Sequence, residues 1–193
     1  MTEADFPLLS LIITIPLLGA LLAGSIRNVD VAKQIAFFTA LITFVLTACA
    51  TLLFDADKSG FQLVERYDWI PLLKIEYLVG VDGISVLFLP MTGLLTIITM
   101  LASWSAIPHS SRFHFSLLLA LESVSIGVFC ALDTVLFFLF WELTLPPFFF
   151  LIGLWGIGSQ RRSAAMKYTL FMLAGGVTLL LAIIVLATNH AKQ

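Results

Sequence analysis

Apolar residues run along this chain in six long stretches, each near the roughly 20 residues that cross the hydrocarbon core of a bilayer as an α-helix. They extend from about Phe6 to Ile26, Ile35 to Phe54, Ile84 to Ile107, Phe113 to Leu132, Thr134 to Trp155 and Ala165 to Thr188. Helices are required, because a strand alone in lipid leaves its backbone polar groups unpaired and each run is about twice as long as a barrel strand needs. The pattern predicts an all-α, polytopic transmembrane bundle of about six spans, one domain over residues 1–193. The one sizeable interruption, residues 55–83, contains two segments rich in strand formers, Phe61 to Ile70 and Leu72 to Val79, which meet at Pro71. A hairpin at the membrane surface and a plain amphipathic loop are equally good readings of it.

Composition agrees with an integral membrane protein: 60% of residues are apolar, only 11% are charged, and the mean hydropathy is +1.06, well outside the range of ordinary soluble domains. The lipid bilayer is therefore the first partner. A formal net charge of -2, with Lys and Arg scattered between the apolar runs, offers nothing to nucleic acid. Cys49 and Cys130 both fall inside apolar runs and make no metal-ligand spacing, so neither a disulfide nor a bound metal is expected. The first residues, Met-Thr-Glu-Ala-Asp, are acidic where a secretory signal is basic, and the run that follows has no small-residue cleavage site. It reads as a mature span.

An even number of spans places both termini on one side. The connections after the first, third and fifth runs carry Arg27 and Lys33, then Arg112, then Arg161 and Arg162, whereas the fourth carries only Asp133. Excess Lys and Arg mark cytoplasmic loops, so the termini and the 55–83 loop are expected outside. Six acids in that loop stand against Lys58, Arg66 and Lys74, which weakens the charge tally without reversing it.

The candidate chemistry lies inside the fifth run. Glu142 is set in Leu136-Phe-Phe-Leu-Phe-Trp-Glu-Leu-Thr-Leu-Pro-Pro-Phe-Phe-Phe150, where an ionisable group costs roughly 2.5 to 3.5 kcal/mol on insertion scales. Phe140 and Trp141 exclude water, and no basic residue is adjacent, so a counter-ion would have to come from another helix. The turn at Leu132 and Asp133 makes the fourth and fifth helices antiparallel neighbours. Glu122 lies eleven positions before Asp133 and Glu142 nine after it, which puts the two carboxylates within about 3 Å of one depth. Two acids at one level suit a proton relay, because desolvation favours the neutral carboxyl and an approaching cation favours the charged one. Counting does not decide whether they face each other. Glu122 is equally readable as a packing residue hydrogen-bonded to Ser123 or Ser125.

Pro146 and Pro147 follow one turn after Glu142 and would free the carbonyls of Glu142 and Leu143, kinking the helix beside the acid. Lys167, near the start of the sixth helix, has an ordinary reading as a snorkelling interfacial lysine and is not expected to pair directly with Glu142. It could exchange protons with the cytoplasmic surface through water. Gly175 and Gly176 are read as a close-packing site, and His109 and His114 as solvated loop residues.

Three segments taken together, Trp141-Glu-Leu-Thr-Leu-Pro-Pro-Phe-Phe-Phe-Leu-Ile-Gly-Leu-Trp-Gly156, Arg161-Arg-Ser-Ala-Ala-Met-Lys-Tyr-Thr-Leu-Phe-Met-Leu-Ala-Gly-Gly176 and Val79-Gly-Val-Asp-Gly-Ile-Ser85, closely resemble the subunit M family of bacterial NADH-quinone oxidoreductase. These are antiporter-like membrane subunits of respiratory complex I, a family shared with multi-subunit Na+/H+ antiporters. The resemblance implies a proton-pumping module in the bacterial inner membrane, with both termini periplasmic and quinone reduction coupled to transport. Glu142 occupies the place of the family's fifth-helix glutamate, which pairs with a seventh-helix lysine; Glu122 matches a fourth-helix glutamate and Lys167 a sixth-helix lysine. Redox cofactors of such complexes reside in other subunits, so none is expected here. Similar subunits have about fourteen helices in two inverted repeats, and this sequence matches the first six. The implied partners are other membrane subunits, including a chain that supplies the remaining helices. A non-pumping scaffold from a split or truncated gene is the alternative of a different class, and a component of a multi-subunit Na+/H+ antiporter is the third.

Overall fold

A computed structural model describes residues 6–73, 75–107 and 109–190. Lys74, counted above among the loop cations, and the acidic residues at the extreme N-terminus lie outside the described residues. Among these described residues, seven α-helices make up six membrane-length spans: α1 (Leu8–Ser25), α2 (Val29–Leu53), α3 (Ser85–Ser103), α4 (Ser111–Cys130), α5 (Thr134–Leu143) with α6 (Leu145–Trp155) as one interrupted span, and α7 (Arg161–His190). Between α2 and α3 stand two antiparallel strands, β1 (Gln62–Ile70) and β2 (Ile75–Val81), joined by a single 3-10 turn at Pro71–Leu73. The extramembrane segment is thus a hairpin.

Short polar residues set where the helices begin. The Asn28 side chain accepts from the backbone N–H of Asp30 at 3.0 Å and of Val31 at 3.3 Å, so α2 starts six residues before its apolar run does. Lys33 is consequently a helix residue rather than a loop cation. Asp133 heads α5 in the same way, accepting from Val135 and Leu136 at 2.9 Å each. At the head of α3, Asp82 accepts from the backbone N–H of Ser85 at 2.7 Å while the Ser85 hydroxyl accepts from the N–H of Asp82 at 2.9 Å, a reciprocal box.

Helix α1 has no such residue of its own, and the hairpin supplies one. Glu65 on β1, 4% exposed, accepts from the N–H of Leu9 at 2.6 Å and of Ser10 at 3.1 Å, and also from the Ser10 hydroxyl. A carboxylate placed on free N–H groups at a helix N-terminus is favoured by both hydrogen bonding and the helix dipole. Ser10 also bonds the Tyr77 hydroxyl at 2.9 Å. Burial pushes the Tyr77 phenol above its ordinary value, and the negative Glu65 adds to that against the opposing Ser10 bond. The other edge of the hairpin rests on the α4–α5 turn, where Val79 pairs with Ala131 and the N–H of Leu132 donates to the Leu78 carbonyl at 2.9 Å.

The opposite end of the bundle carries Arg27, Lys33, Arg112, Arg161 and Arg162, and two of them close helix C-termini. Lys33 donates to the carbonyl of Trp104, just past α3, at 2.7 Å, with its ammonium over the Trp104 and Phe115 rings at 5.9 and 5.8 Å. Arg112 donates to the carbonyl of Ile26, just past α1, at 3.0 Å. His114 corrects the reading of a solvated loop residue: it lies inside α4, 7% exposed, with its ring 4.8 Å from that of Trp155. Only His109 stays on the loop, exposed.

The core between these ends lies among α1 to α4. Ala32, Ala36, Ala40, Thr43, Thr47 and Ala50 put small side chains on one face of α2, all fully buried. Small residues let helices approach closely, which matters in lipid because apolar burial alone gives helices little reason to associate. Leu9, Ile12, Val79, Leu89 and Ile126 pack together near the hairpin, and Ala23, Met100, Phe115 and Leu119 pack near the basic end.

Candidate functional site

Glu142 is the next-to-last residue of α5, and the span breaks immediately after it. Pro146 and Pro147 have no N–H to give to the carbonyls of Glu142 and Leu143, and they open α6 at its first turn, where a missing N–H costs nothing. Thr144 tightens the junction by donating to Trp141 from its backbone at 3.2 Å and from its hydroxyl at 2.7 Å, and the helix resumes with Phe148 N–H to the Thr144 carbonyl at 3.3 Å. The acid therefore stands at a backbone joint, where the Thr144 N–H reaches the carbonyls of both Trp141 and Glu142.

The direction of its side chain follows from Phe140, two residues earlier. The Phe140 ring lies against Gly127 of α4 so closely that a Cβ there would come within 2.5 Å of it. Two residues along a helix is a rotation of about 200°, so Glu142 points away from α4. It meets α7, where a Cβ on Gly176 would overlap the Glu142 Oε1 atom. That oxygen is buried and has no hydrogen-bond partner among the described residues. Gly176 thus seats the carboxylate, a role beyond the close helix packing read from its sequence. Depth counting carried one step further would have found it: Glu142 is thirteen residues before Trp155 and Gly176 fifteen after Arg161, levels matched to about 3 Å. Gly175 has no neighbour within 4 Å of where its Cβ would be.

Glu122 lies on α4 at 2% exposure, with neither carboxylate oxygen bonded to any described residue. The neighbouring serines do not satisfy it. Ser123 donates instead to the Ile13 carbonyl at 2.6 Å, and Ser125 opens onto the same cleft as the acid. This cleft, about 530 Å³, lies between α3, α4 and α6. Glu122 and Glu142 thus share a level by residue count while facing different neighbours, and no hydrogen bond joins them.

Lys167 is exposed and forms no ion pair among the described residues. It precedes Gly176 by nine residues, about 13 Å along α7 and half a turn around it, so it faces away from the carboxylate. No group of His, Cys, Asp or Glu among the described residues has the arrangement of a metal site. Chemically, the arrangement is two carboxylic groups at mid-span depth, one seated on a glycine beside a helix break and one lining a cleft, with no basic partner on either among the described residues.

Residues 131–192 match the family described as NADH:quinone oxidoreductase/Mrp antiporter, TM. The chain is 35% identical over 92% of its length to F(420)H(2) dehydrogenase subunit M of Methanosarcina mazei, covering 36% of that protein. It is 38% identical over 96% of its length to an NAD(P)H-quinone oxidoreductase chain 4 of a Picosynechococcus species, covering 34% of it. The chain spans about a third of the length of the curated relatives it matches. Its fold is that of a chain in respiratory complex I from Thermus thermophilus with bound NADH, at a TM-score of 0.79 and 22% identity, over 91% of this chain and 35% of that one. A chain of the Mrp complex from Dietzia gives 0.71 at 22% identity, over 91% of this chain and 18% of that one. Both structures are multi-subunit membrane complexes.

Proposed function

We propose that the chain belongs to the antiporter-like membrane-subunit family of quinone oxidoreductases and Mrp antiporters, on the match of residues 131–192 and its 35–38% identity to such subunits, and that it forms part of a proton-translocating module in an NADH-quinone oxidoreductase, with Glu142 as the group that takes up and releases the proton. The observation that carries this reading is the unpartnered Glu142 oxygen held on Gly176 at a helix break. An approaching cation favours the charged form of a carboxyl group and its withdrawal favours the protonated one. The proton moves from water to a carboxylate oxygen and back, and no other bond changes. The cation would come from helices outside these 193 residues, in a continuation of the polypeptide or in a neighbouring membrane subunit. Glu122 serves as a second proton site at the same depth. Lys167, far from both acids, is assigned exchange with the surface at the basic end, and Pro146 and Pro147 keep the joint beside Glu142 open. The placement follows the same reading: a bacterial inner membrane, the hairpin and both termini periplasmic, the basic end cytoplasmic.

The test is Glu142→Gln in the assembled complex. Loss of roughly a hundredfold in proton-pumping rate, the scale of a lost acid–base group, with the complex intact is the expected result. Unchanged pumping coupled to unchanged electron transfer overturns it. Failure to assemble, with pumping normal in whatever complex does form, points to a scaffold. The polypeptides that co-purify with the chain separate a respiratory complex from a cation antiporter, the second reading that the Mrp-like fold favours.

A further inference from the structure

The cleft at Glu122 has a polar wall that the reading above does not use. On α3, Thr92, Thr96 and Thr99 line it, and Ser103 continues the same i, i+4, i+7, i+11 stripe to the end of the helix. Each hydroxyl spends its hydrogen on its own helix: Thr92 donates to the Phe88 carbonyl at 2.7 Å, Thr96 to Thr92 at 3.0 Å, Thr99 to Leu95 at 2.7 Å and Ser103 to Thr99 at 2.8 Å. Their oxygens retain free lone pairs, so the wall accepts hydrogen bonds and has none left to give. Glu122, 2% exposed and unpartnered at both oxygens, lies across the cleft from it. Free lone pairs on one wall and an unpartnered carboxyl on the other are groups that water between them would satisfy. A cleft of about 530 Å³ holds on the order of ten waters.

The stripe also has a direction. Counted from the hairpin end at about 1.5 Å per residue, Glu122 lies about 12 Å deep on α4, Thr92 about 10 Å, Thr96 about 16 Å and Thr99 about 21 Å on α3. The hydroxyls start at the level of the acid and run toward the basic end, where Lys33 sits on the α3 terminus. We propose that this cleft is a hydrated access path, walled by the hydroxyl stripe of α3 and Ser125, that connects Glu122 to the aqueous phase at the basic end of the bundle. Its ligand is water and the proton that water carries. The path deepens the reading of Glu122 as a proton site and rests on that reading for its purpose, but its physical content, water along one face of α3, is measured independently.

The experiment is cysteine accessibility in sealed membrane vesicles that contain the chain with the subunits it assembles with, in a Cys49→Ala, Cys130→Ala background. A maleimide reacts with thiolate, which forms only where water reaches. Thr96→Cys and Thr99→Cys are expected to react with a charged, membrane-impermeant maleimide from the basic end about tenfold or more faster than Leu94→Cys, which stands on the exposed face of α3 away from the cleft. Equal rates at all three positions, or reaction only from the hairpin side, overturn the path. If the cysteine variants do not assemble, radiolytic hydroxyl-radical labelling of the unmodified chain reads the same water. Met91 and Phe129, which line the cleft, should be modified while the fully buried Met100 is not; unmodified Met91 and Phe129 overturn the proposal. Fast labelling together with normal pumping in Glu142→Gln would keep the path and remove the role of Glu142. Absent labelling together with lost pumping would do the reverse.

Discussion

Glu122 stands on a helix that packs against α1, α2, α3 and α6, whereas Glu142 stands at a helix break that meets α4 on one side and α7 on the other. The two settings differ in what this chain supplies. Around α4, residues such as Phe115, Leu119 and Ile126 are fully buried. On α7, Leu170, Phe171, Val177, Leu181, Val185 and Leu186 all remain exposed. An acid in the first setting has nearly all of its surroundings fixed by this sequence, and what remains for it is water in a cleft. An acid in the second has a seat, Gly176, on a helix whose outer face is still exposed. Depth in the membrane is shared between them; control is not.

The packed half should be the one most damaged through its own contacts. Glu65→Ala removes a buried carboxylate that receives two backbone N–H groups and a hydroxyl at the head of α1. Three hydrogen bonds to a charged group at about 1.5 to 3 kcal/mol each are offset in part by the cost of burying the carboxylate itself, so a loss of about 4 kcal/mol is expected. Unfolding in detergent measures the total, and hydrogen exchange at Leu9 and Ser10 locates it. Glu65→Gln, which keeps one acceptor oxygen, should fall between. Equal loosening of α7 would break the division into two halves.

The converse variant acts on the open half. Gly176→Leu places side-chain atoms where the Glu142 carboxylate rests, while Gly175→Leu enters open space. Pumping in the assembled complex should fall by roughly a hundredfold for the first, matching loss of the acid itself, and change little for the second. Equal effects of the two would mean that the seat does not matter. Between the halves, Gly127→Ala forces the Phe140 ring off α4, an overpacking cost of about 2 kcal/mol. Because Phe140 sets the rotation of α5, the same variant should also reduce pumping although it touches neither acid, a combination readable from melting and transport on one preparation.

How far the sequence reveals this arrangement depends on how local the governing contact is. The six spans are visible because hydrophobic length is summed over about twenty neighbouring residues, and the strand-forming halves of the hairpin are visible on either side of Pro71 for the same reason. The common depth of Glu122 and Glu142 is visible because one short turn ties their helices together. Rotation is not, since it is set by Phe140 meeting Gly127 across two helices. Glu65 reads as one charge among strand formers, because its partners Leu9 and Ser10 are more than fifty residues away. Lys33 was within reach: Asn28 followed by Asp30 is a helix start, and it moves the lysine out of the loop. His114 was not, because the ring that covers it belongs to Trp155.

The smallest effect expected is a pH dependence at the head of α3, where the two halves offer a matched pair of caps, Asp82 for α3 and Asp133 for α5. The backbone N–H of Ser85 holds the Asp82 carboxyl below its ordinary value of 3.8, with the Ser85 hydroxyl and the Ile84 N–H adding to it against slight desolvation. A carboxyl lowered by folding contributes stability that is present above the unfolded value and is lost as pH falls through the folded one. Thermal melts taken from about pH 5 downward should therefore show an acid-side fall in Tm that Asp82→Asn partly flattens, since Asn keeps an acceptor oxygen and has no proton to gain. Because Asp82 is only half-buried, that flattening should be the slightest of the changes described and should shrink with added salt. A flattening as large as the loss caused by Glu65→Ala would mean that the head of α3, rather than that of α1, anchors the packed half to the hairpin.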